Sequence, residues 1–234
     1  GACDVAETCD GLSVTCPADG FEPDGTACTD GLFCNGADSC QSGVCTAPGS
    51  PCAMGETCNE VSDACFDGGC PTVASVSCRS AAKSKLLVKD KTDNAKDKLI
   101  FKWVKGDSTS TAEFADPQAT AEYALCLYSA GSLVGQAQIA PSASLWSPIS
   151  TKGFKYKDPA GSSDSITRAV LKGSDNNKSK ALVKGKGEDL PDLTLPITLP
   201  VTAQLRNNDT GICWGASFAS AIKNETGQLK AKNP

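Results

Sequence analysis

The pattern of apolar and polar residues changes character near residue 79. From 79 to 234, short segments of alternating apolar and polar residues are separated by residues that favour turns. In 98–105, for example, Leu99, Phe101 and Trp103 fall on one face of an extended chain. A period of two is typical of a strand that is buried on one side. The pattern therefore predicts a strand-rich domain over 79–234, which we call the body.

The body contains ten segments of this kind, and a helical segment is expected only around 111–121. Short strands at such spacing favour two packed antiparallel sheets, an all-β sandwich of jelly-roll or immunoglobulin-like type. The predicted strands are 84–89, 98–105, 122–128, 133–139, 153–157, 165–172, 179–184, 197–206, 212–219 and 227–231.

Three prolines, at positions 191, 196 and 200, interrupt the apolar stretch 190–201. Proline cannot donate a hydrogen bond within a sheet, so this stretch is expected at a sheet edge or in an extended crossover. An edge there could exchange a strand with another copy of the chain, and an ordinary edge strand is the alternative.

The first 78 residues, which we call the head, follow a cysteine period instead. Repeats begin at Cys3, Cys28, Cys52 and Cys78, and two complete ones read CTDGLFCNGADSCQSGVC and CAMGETCNEVSDACFDGGC. Large apolar residues are scarce in the head, so disulfides must replace the missing core. The spacing predicts small stacked repeats with a domain boundary at 78/79.

Cysteine placement also indicates the compartment. A zinc site is excluded because the chain has no histidine and no Cys-x2-Cys pair. Disulfides persist in oxidising surroundings, so an extracellular or cell-surface protein is expected. Cys126 and Cys213, the only cysteines of the body, are expected to bond each other and pin the two sheets. The head cysteines are expected to pair within the head, in an order that the sequence does not give: Cys3, Cys9, Cys16, Cys28, Cys34, Cys40, Cys45, Cys52, Cys58, Cys65, Cys70 and Cys78.

The net charge of the chain changes sign at the same boundary, 78/79. Residues 1–78 hold twelve acids and no Lys or Arg, whereas 79–234 holds 22 bases and fifteen acids. Opposite patches on one chain favour head-to-tail association, so we expect a secreted structural protein that forms a filament or surface layer with copies of itself. The lysines expected at this interface are Lys98, Lys102, Lys105, Lys180, Lys184 and Lys186.

The lysines have an alternative role that does not involve self-association: they could protect exposed sheet surface and edges from aggregation. Nucleic acid is not an expected partner, because the positive excess is modest and no stacking aromatics are interleaved with the lysines. No segment is apolar enough to predict a membrane span.

Candidate chemistry is sparse. Without histidine, Ser–His and Cys–His catalysis is excluded, and we expect no enzyme. A secreted hydrolase that uses Glu188 or Asp192 is the remaining catalytic alternative. No cofactor is expected except structural calcium on acidic turns of the head, which otherwise serve as solubilising turns. The calcium candidates are Asp10, Asp19, Asp24, Asp30 and Asp38.

A monomeric adhesin or carbohydrate-binding surface protein is the alternative function, with glycans or a host surface as partner. Aromatic side chains would then stack on sugar rings. The candidates are Trp103, Trp146, Trp214 and Tyr156. Glycosylation of the chain itself is left open at three sequons, which begin at Asn177, Asn208 and Asn224.

Residues 3–28 read CDVAETCDGLSVTCPADGFEPDGTAC. The segment resembles the C-terminal half of a disintegrin domain, as in membrane-anchored metalloprotease–disintegrins and snake-venom proteins. The adhesive loop of that family would precede Cys3, so the resemblance implies no integrin binding, and no metalloprotease motif is present. The whole chain is similar to cysteine-rich surface proteins of environmental bacteria, in which Cys-Asn-Gly-x-x-x-Cys repeats precede β-rich domains.

Overall fold

The chain folds into two compact units, Gly1–Cys65 and Phe66–Pro234. The structure is a computed structural model that describes residues 1–8, 11, 18–52, 56–59, 64–67 and 69–234, with the backbone alone for 56–59 and 64–67. The boundary therefore lies thirteen residues before the predicted one at 78/79. The cysteine repeats continue to Cys78, whereas residues 69–78 pack with the second unit.

Short strands and disulfides organise the first unit. Strand β1 (Asp4–Val5) pairs antiparallel with β2 (Gly20–Phe21), and β3 (Ser39–Gln41) pairs with β4 (Val44–Thr46). Strand β5 (Glu56–Asn59) follows, and the unit ends within β6 (Ala64–Asp67).

Disulfides cross-link this unit, as predicted. Cys3 bonds Cys40 and Cys28 bonds Cys45, so the first bond joins one cysteine repeat to the next. Cys3 and Cys40 are fully buried. Cys34 and Cys52 are also disulfide-bonded, and none of the described cysteines is free. The predictions for Cys9 and Cys16, and for the side chains of Cys58 and Cys65, lie outside the described residues.

The second unit contains all ten predicted strands, with ends shifted by at most four residues. Two further strands, Trp146–Pro148 and Lys223–Glu225, have only three residues each. Helical structure in the described ranges is limited to the 3₁₀ segments Asn94–Lys96 and Ala112–Phe114, and neither has the length or the apolar character that a membrane-crossing helix needs. The strands are β7 (Ala81–Lys89), β8 (Lys98–Gly106), β9 (Tyr123–Ser129), β10 (Ser132–Ile139), β11 (Trp146–Pro148), β12 (Gly153–Lys157), β13 (Ile166–Lys172), β14 (Ser179–Lys186), β15 (Val201–Asn207), β16 (Cys213–Phe218), β17 (Lys223–Glu225) and β18 (Gln228–Asn233).

These strands form a β-sandwich, which confirms the predicted fold class. An eight-stranded sheet has the order β11-β12-β13-β14-β8-β7-β18-β17, and a four-stranded sheet has the order β10-β9-β15-β16. Their inner faces share one core, in which Trp103, Trp146 and Trp214 are the largest fully buried side chains. Adjacent aromatic rings in this core have centroids 5.1–6.4 Å apart, which suits tilted aromatic packing.

The segment 70–79, which we call the strap, crosses the other face of the four-stranded sheet. A disulfide fixes each end, Cys70 to Cys126 and Cys78 to Cys213. Between them, the side-chain amide of Gln204 donates to the Ser75 carbonyl and accepts from the Ser75 N–H. Ala124 and Tyr128 pack beneath the strap, so it covers apolar surface that would otherwise face water.

The predicted bond between Cys126 and Cys213 is wrong, and strand order explains why. Cys126 lies on β9 and Cys213 on β16, but β15 runs between these two strands. Neighbouring strands are about 4.8 Å apart, so strands once removed are about 10 Å apart. A disulfide requires Cα atoms within about 7 Å. Both body cysteines therefore bond strap cysteines, Cys70 and Cys78, which had been assigned to the head.

The proline-rich stretch is a crossover and not a sheet edge. Residues 190–200 connect β14 of one sheet to β15 of the other without forming a strand. Leu190, Leu193 and Ile197 are buried in the core, and the Ile197 backbone exchanges two hydrogen bonds with the Asn224 side chain. Because these backbone groups are bonded within the unit, this stretch does not provide the edge that strand exchange between copies requires.

Removing the Cys70–Cys126 bond with Cys70→Ser and Cys126→Ser is expected to lower the free energy of unfolding of the second unit by about 2–4 kcal/mol, because the unfolded chain gains conformational freedom. Denaturant unfolding followed by tryptophan fluorescence measures this, since all three tryptophans lie in the second unit. The control pair, Cys28→Ser with Cys45→Ser, should leave the tryptophan transition in place. An equal loss in both pairs, or a Cys126–Cys213 peptide in non-reducing mass spectrometry, would contradict the assignment.

Candidate functional site

The outer face of the eight-stranded sheet is strongly basic. Because side chains alternate along each strand, residues such as Leu99, Phe101 and Trp103 fill the core while their neighbours in sequence point outward. Glu225 is the single acid among these outward positions. Fifteen of the 22 basic residues share this surface, the basic face: Lys83, Lys85, Lys89, Lys98, Lys102, Lys155, Lys157, Arg168, Lys172, Lys180, Lys184, Lys186, Lys223, Lys230 and Lys232.

Strand register places many of these cations directly opposite one another. Lys98 on β8 lies opposite Lys186 on β14 and Lys89 on β7. In the same way Arg168 on β13 lies between Lys157 and Lys184. Like charges in directly opposed positions destabilise a sheet. Among the described residues, the one ion pair on the basic face joins Lys223 to Glu225, with Nζ 2.6 Å from Oε1.

Structural roles explain part of this arrangement. Val170 and Leu182 point outward and yet are only 9% and 8% exposed, which is the shielding expected when long basic side chains lie over apolar neighbours. Protection of sheet edges does not explain the central cations, because β8 and β14 lie in the middle of the sheet and β11 and β17 form its edges. The basic face therefore offers more positive charge than its own packing requires.

The structure brings five of the six predicted interface lysines onto this face. Lys105 is the exception: it lies at a bulge of β8 with a positive φ of 54°, outside the paired positions. The predicted interface set omits the cations of β7, β12, β13 and β18, although Lys83 with Lys85, and Lys155 with Lys157, already show a spacing of two in the sequence.

Two depressions lie on the basic face. The larger has a volume of about 720 Å³, and its lining residues are Ser144, Leu145, Ser147, Lys155, Tyr156, Lys157, Pro159, Thr167, Arg168 and Lys184. The smaller has a volume of about 330 Å³ and is lined by five lysines, Lys89, Lys91, Lys96, Lys98 and Lys186. Neither lining includes a carboxylate, so both depressions suit anionic groups.

The calcium candidates of the first unit do not form one cluster. The carboxylates of Asp24, Asp30 and Asp38 accept backbone N–H groups, at 2.7–2.8 Å, and thereby order the turns. Oxygens that could hold a cation near Asp30 are Asn35 Oδ1 and Asp38 Oδ1, which are buried and accept no hydrogen bond. Asp19 lies instead with Asp4 and Glu7 on the exposed surface, and Asp10 lies outside the described residues.

An acidic cluster that the sequence did not indicate lies beside the crossover. Carboxylate oxygens of Asp90, Asp97 and Asp192 lie within 4.8 Å of one another, and Glu188 does not join them. Asp97 accepts the Lys91 N–H and Asp90 accepts the Leu193 N–H, so the cluster ties the β7–β8 connection to the crossover. Burial, with a contribution from the neighbouring carboxylates, raises the pKa of the Asp97 carboxyl above its ordinary value of 3.8.

The aromatic residues expected to stack on sugars are not available for that role. Trp103, Trp146, Trp214 and Tyr156 are each at most 1% exposed. Their polar atoms also bond within the core: Trp103 Nε1 donates to the Gly215 carbonyl and Trp214 Nε1 to Thr109 Oγ1. The stacking prediction is therefore wrong, because these large apolar side chains fill the sandwich core.

The three sequons differ in access. The Asn208 and Asn224 side-chain amides donate to Glu122 Oε1 and the Ile197 carbonyl, both at 2.7 Å. Asn177 is exposed in a turn, where its oxygen accepts the Ser108 N–H.

Comparisons with known proteins cover only part of the chain. It is 41% identical over 80 aligned residues to "Disintegrin and metalloproteinase domain-containing protein B" of Aspergillus fumigatus, a match that covers 31% of this chain and 9% of that protein. No family model matches the chain, and no solved structure matches it. The partial similarity and the disulfide-rich first unit are compatible with a disintegrin-like resemblance. Together with the β-sandwich, they are compatible with an extracellular, non-enzymatic protein.

Replacing Asp97 by Asn is expected to stabilise the protein at neutral pH. Because the folded-state pKa is raised, the stability that Asp97 contributes is fully present below pH 3.8 and is lost as pH rises through the folded value. Asparagine keeps the acceptor for the Lys91 N–H and carries no charge. Thermal melts across pH should show a gain at pH 7 that vanishes in acid, whereas Asp175→Asn on an exposed turn should change little. A gain that is independent of pH would contradict this explanation.

Proposed function

We propose that the protein is an extracellular, non-enzymatic structural protein whose copies associate head to tail through charge. The first unit of one copy is the acidic partner, and the basic face of the next copy receives it. The resulting assembly is a filament or a surface layer.

The observation that carries this proposal is the segregation of charge between the two units. Residues 1–65 hold eleven acids and no Lys or Arg, whereas the basic face holds fifteen cations and one acid. Opposed like charges such as Lys186, Lys98 and Lys89 destabilise the free sheet, and an acidic partner relieves that repulsion. Complementary potentials of this kind steer association and fix its orientation.

Because the opposite charges lie on two different surfaces of each copy, association would continue beyond a dimer. Each copy carries one acidic unit and one basic face, so a contact between them uses different surfaces on the two copies. Such a heterologous contact forms a ring when the rotation closes and an open filament when it does not. Either assembly leaves the core of the sandwich unchanged.

A structural role also suits the side chains that the fold supplies. The chain has no histidine to activate a nucleophile, and the clustered carboxylates of Asp90 and Asp97 hold backbone N–H groups. Disulfides in both units suit an oxidising, extracellular setting.

The test is the salt dependence of assembly size, measured by light scattering and sedimentation velocity. Raising NaCl from about 0.01 M to about 1 M shortens the Debye length from about 30 Å to about 3 Å, so the full chain should dissociate into monomers. Lys98→Glu with Lys102→Glu, in the centre of the basic face, should abolish assembly at low salt.

The matched control is Lys152→Glu with Lys178→Glu, which changes the charge equally at exposed positions outside the paired strands. It should assemble as the unmodified chain does. Circular dichroism confirms that both variants fold. Assemblies that ignore salt, a chain that is monomeric at low salt, or equal loss in both variants would each overturn the proposal.

A further inference from the structure

The larger depression on the basic face has the features of a ligand site. It opens between strands β11 to β14, and a loop beside β11 contributes Ser144 and Leu145 to its rim. Its volume of about 720 Å³ falls within the range of about 300–1,000 Å³ that is typical of small-molecule sites.

Four cations converge on this depression. Lys157, Arg168 and Lys184 are opposed across three strands, so their Cα positions span about 10 Å. Lys155 occupies the next outward position on β12. An arginine flanked by lysines can bind a carboxylate or sulfate through two parallel N–H bonds and neutralise neighbouring anionic groups with the lysines.

The acid adjacent to these cations in sequence does not line the depression. Asp158 follows Lys157 but is buried, and its carboxylate accepts hydrogen bonds from Tyr156 Oη, from Ser162 and from the Ala160 N–H. Its role is therefore to hold the turn after β12, and it is absent from the lining of the depression.

The remaining lining is suited to a sugar more than to a simple ion. Ser144 and Ser147 add hydroxyl groups that can donate and accept, Thr167 adds a hydroxyl that donates to the Lys184 carbonyl and can still accept, and Leu145 and Pro159 add apolar surface. Ligand sites commonly combine apolar contact with a few orienting polar groups. The smaller depression, lined by lysines alone, lacks this combination.

Other polyanions fit less well. Binding of single-stranded nucleic acid uses bases that stack on exposed aromatic rings, and the ring in this lining, Tyr156, is only 1% exposed. Adsorption to an anionic membrane needs exposed apolar side chains next to the cations, and the large exposed ones in the described residues, such as Phe21, Val76 and Ile222, lie outside the basic face.

We propose that this depression binds acidic oligosaccharides, glycans that carry carboxylate or sulfate groups. Arg168 and Lys157 hold the anionic group, and the hydroxyls of the rim orient the sugar ring. The depression overlaps the surface proposed for self-association, because Lys184 of β14 belongs to both, so glycan binding is tested on monomers.

The test is calorimetric titration of the full chain at about 0.15 M salt, where surface charges are screened beyond about 8 Å, and at a protein concentration at which light scattering shows monomers. The probes are a sulfated heparin-derived oligosaccharide, an oligogalacturonate and a neutral malto-oligosaccharide of matched length. At least one acidic probe should bind and the neutral one should not.

Lys157→Gln with Arg168→Gln should weaken binding at least about tenfold, the loss expected when a hydrogen bond between charged groups is removed. The control, Lys85→Gln with Lys232→Gln, removes the same charge from the opposite end of the basic face and should retain affinity within about twofold. Thermal melts confirm that both variants fold.

Three results would overturn the proposal. The first is no binding of either acidic glycan. The second is equal loss in the two variants, which would indicate general attraction to a charged surface. The third is equally tight binding of single-stranded DNA with the same dependence on Lys157 and Arg168.

Discussion

One constraint organises the second unit: the strands of its eight-stranded sheet pack against the sandwich core on one side only. The period of two sends Leu99, Phe101 and Trp103 inward and leaves Lys98 and Lys102 outward. Repeated over neighbouring strands, the same alternation concentrates the cations into one surface. The core that stabilises the sandwich and the charge that is available for binding are therefore two consequences of one pattern.

The outer face of the four-stranded sheet is not left open to solvent in the same way. The strap covers part of it, and two disulfides together with Gln204 hold the strap in place. One sheet is thus covered by its own chain, while the other presents a basic surface. This asymmetry leaves the basic face as the surface of the sandwich best suited to a partner.

Local patterns predicted this fold well, and pairings between distant residues did not follow from them. Alternation located the ten longer strands because the apolar and polar residues within each strand reflect which of its faces is buried. A strand of three residues, such as Trp146–Pro148, is too short to show a period. The Cys126–Cys213 error arose because strand order depends on contacts far apart in sequence. The sugar-stacking prediction failed for two reasons: alternation already placed Trp103 on the apolar face of its strand, and Trp146 lies in a strand too short to show a period.

Cross-linking between copies tests the central claim, contact between the acidic unit and the basic face, most directly. Isotopically labelled and unlabelled chains are mixed at low salt and treated with a zero-length carboxylate–amine cross-linker. Mass spectrometry should then find mixed-label links between carboxylates of residues 1–65 and lysines of the basic face, above all Lys98, Lys102 and Lys186. Links confined to single copies, or directed to lysines outside the basic face, would contradict the proposed assembly.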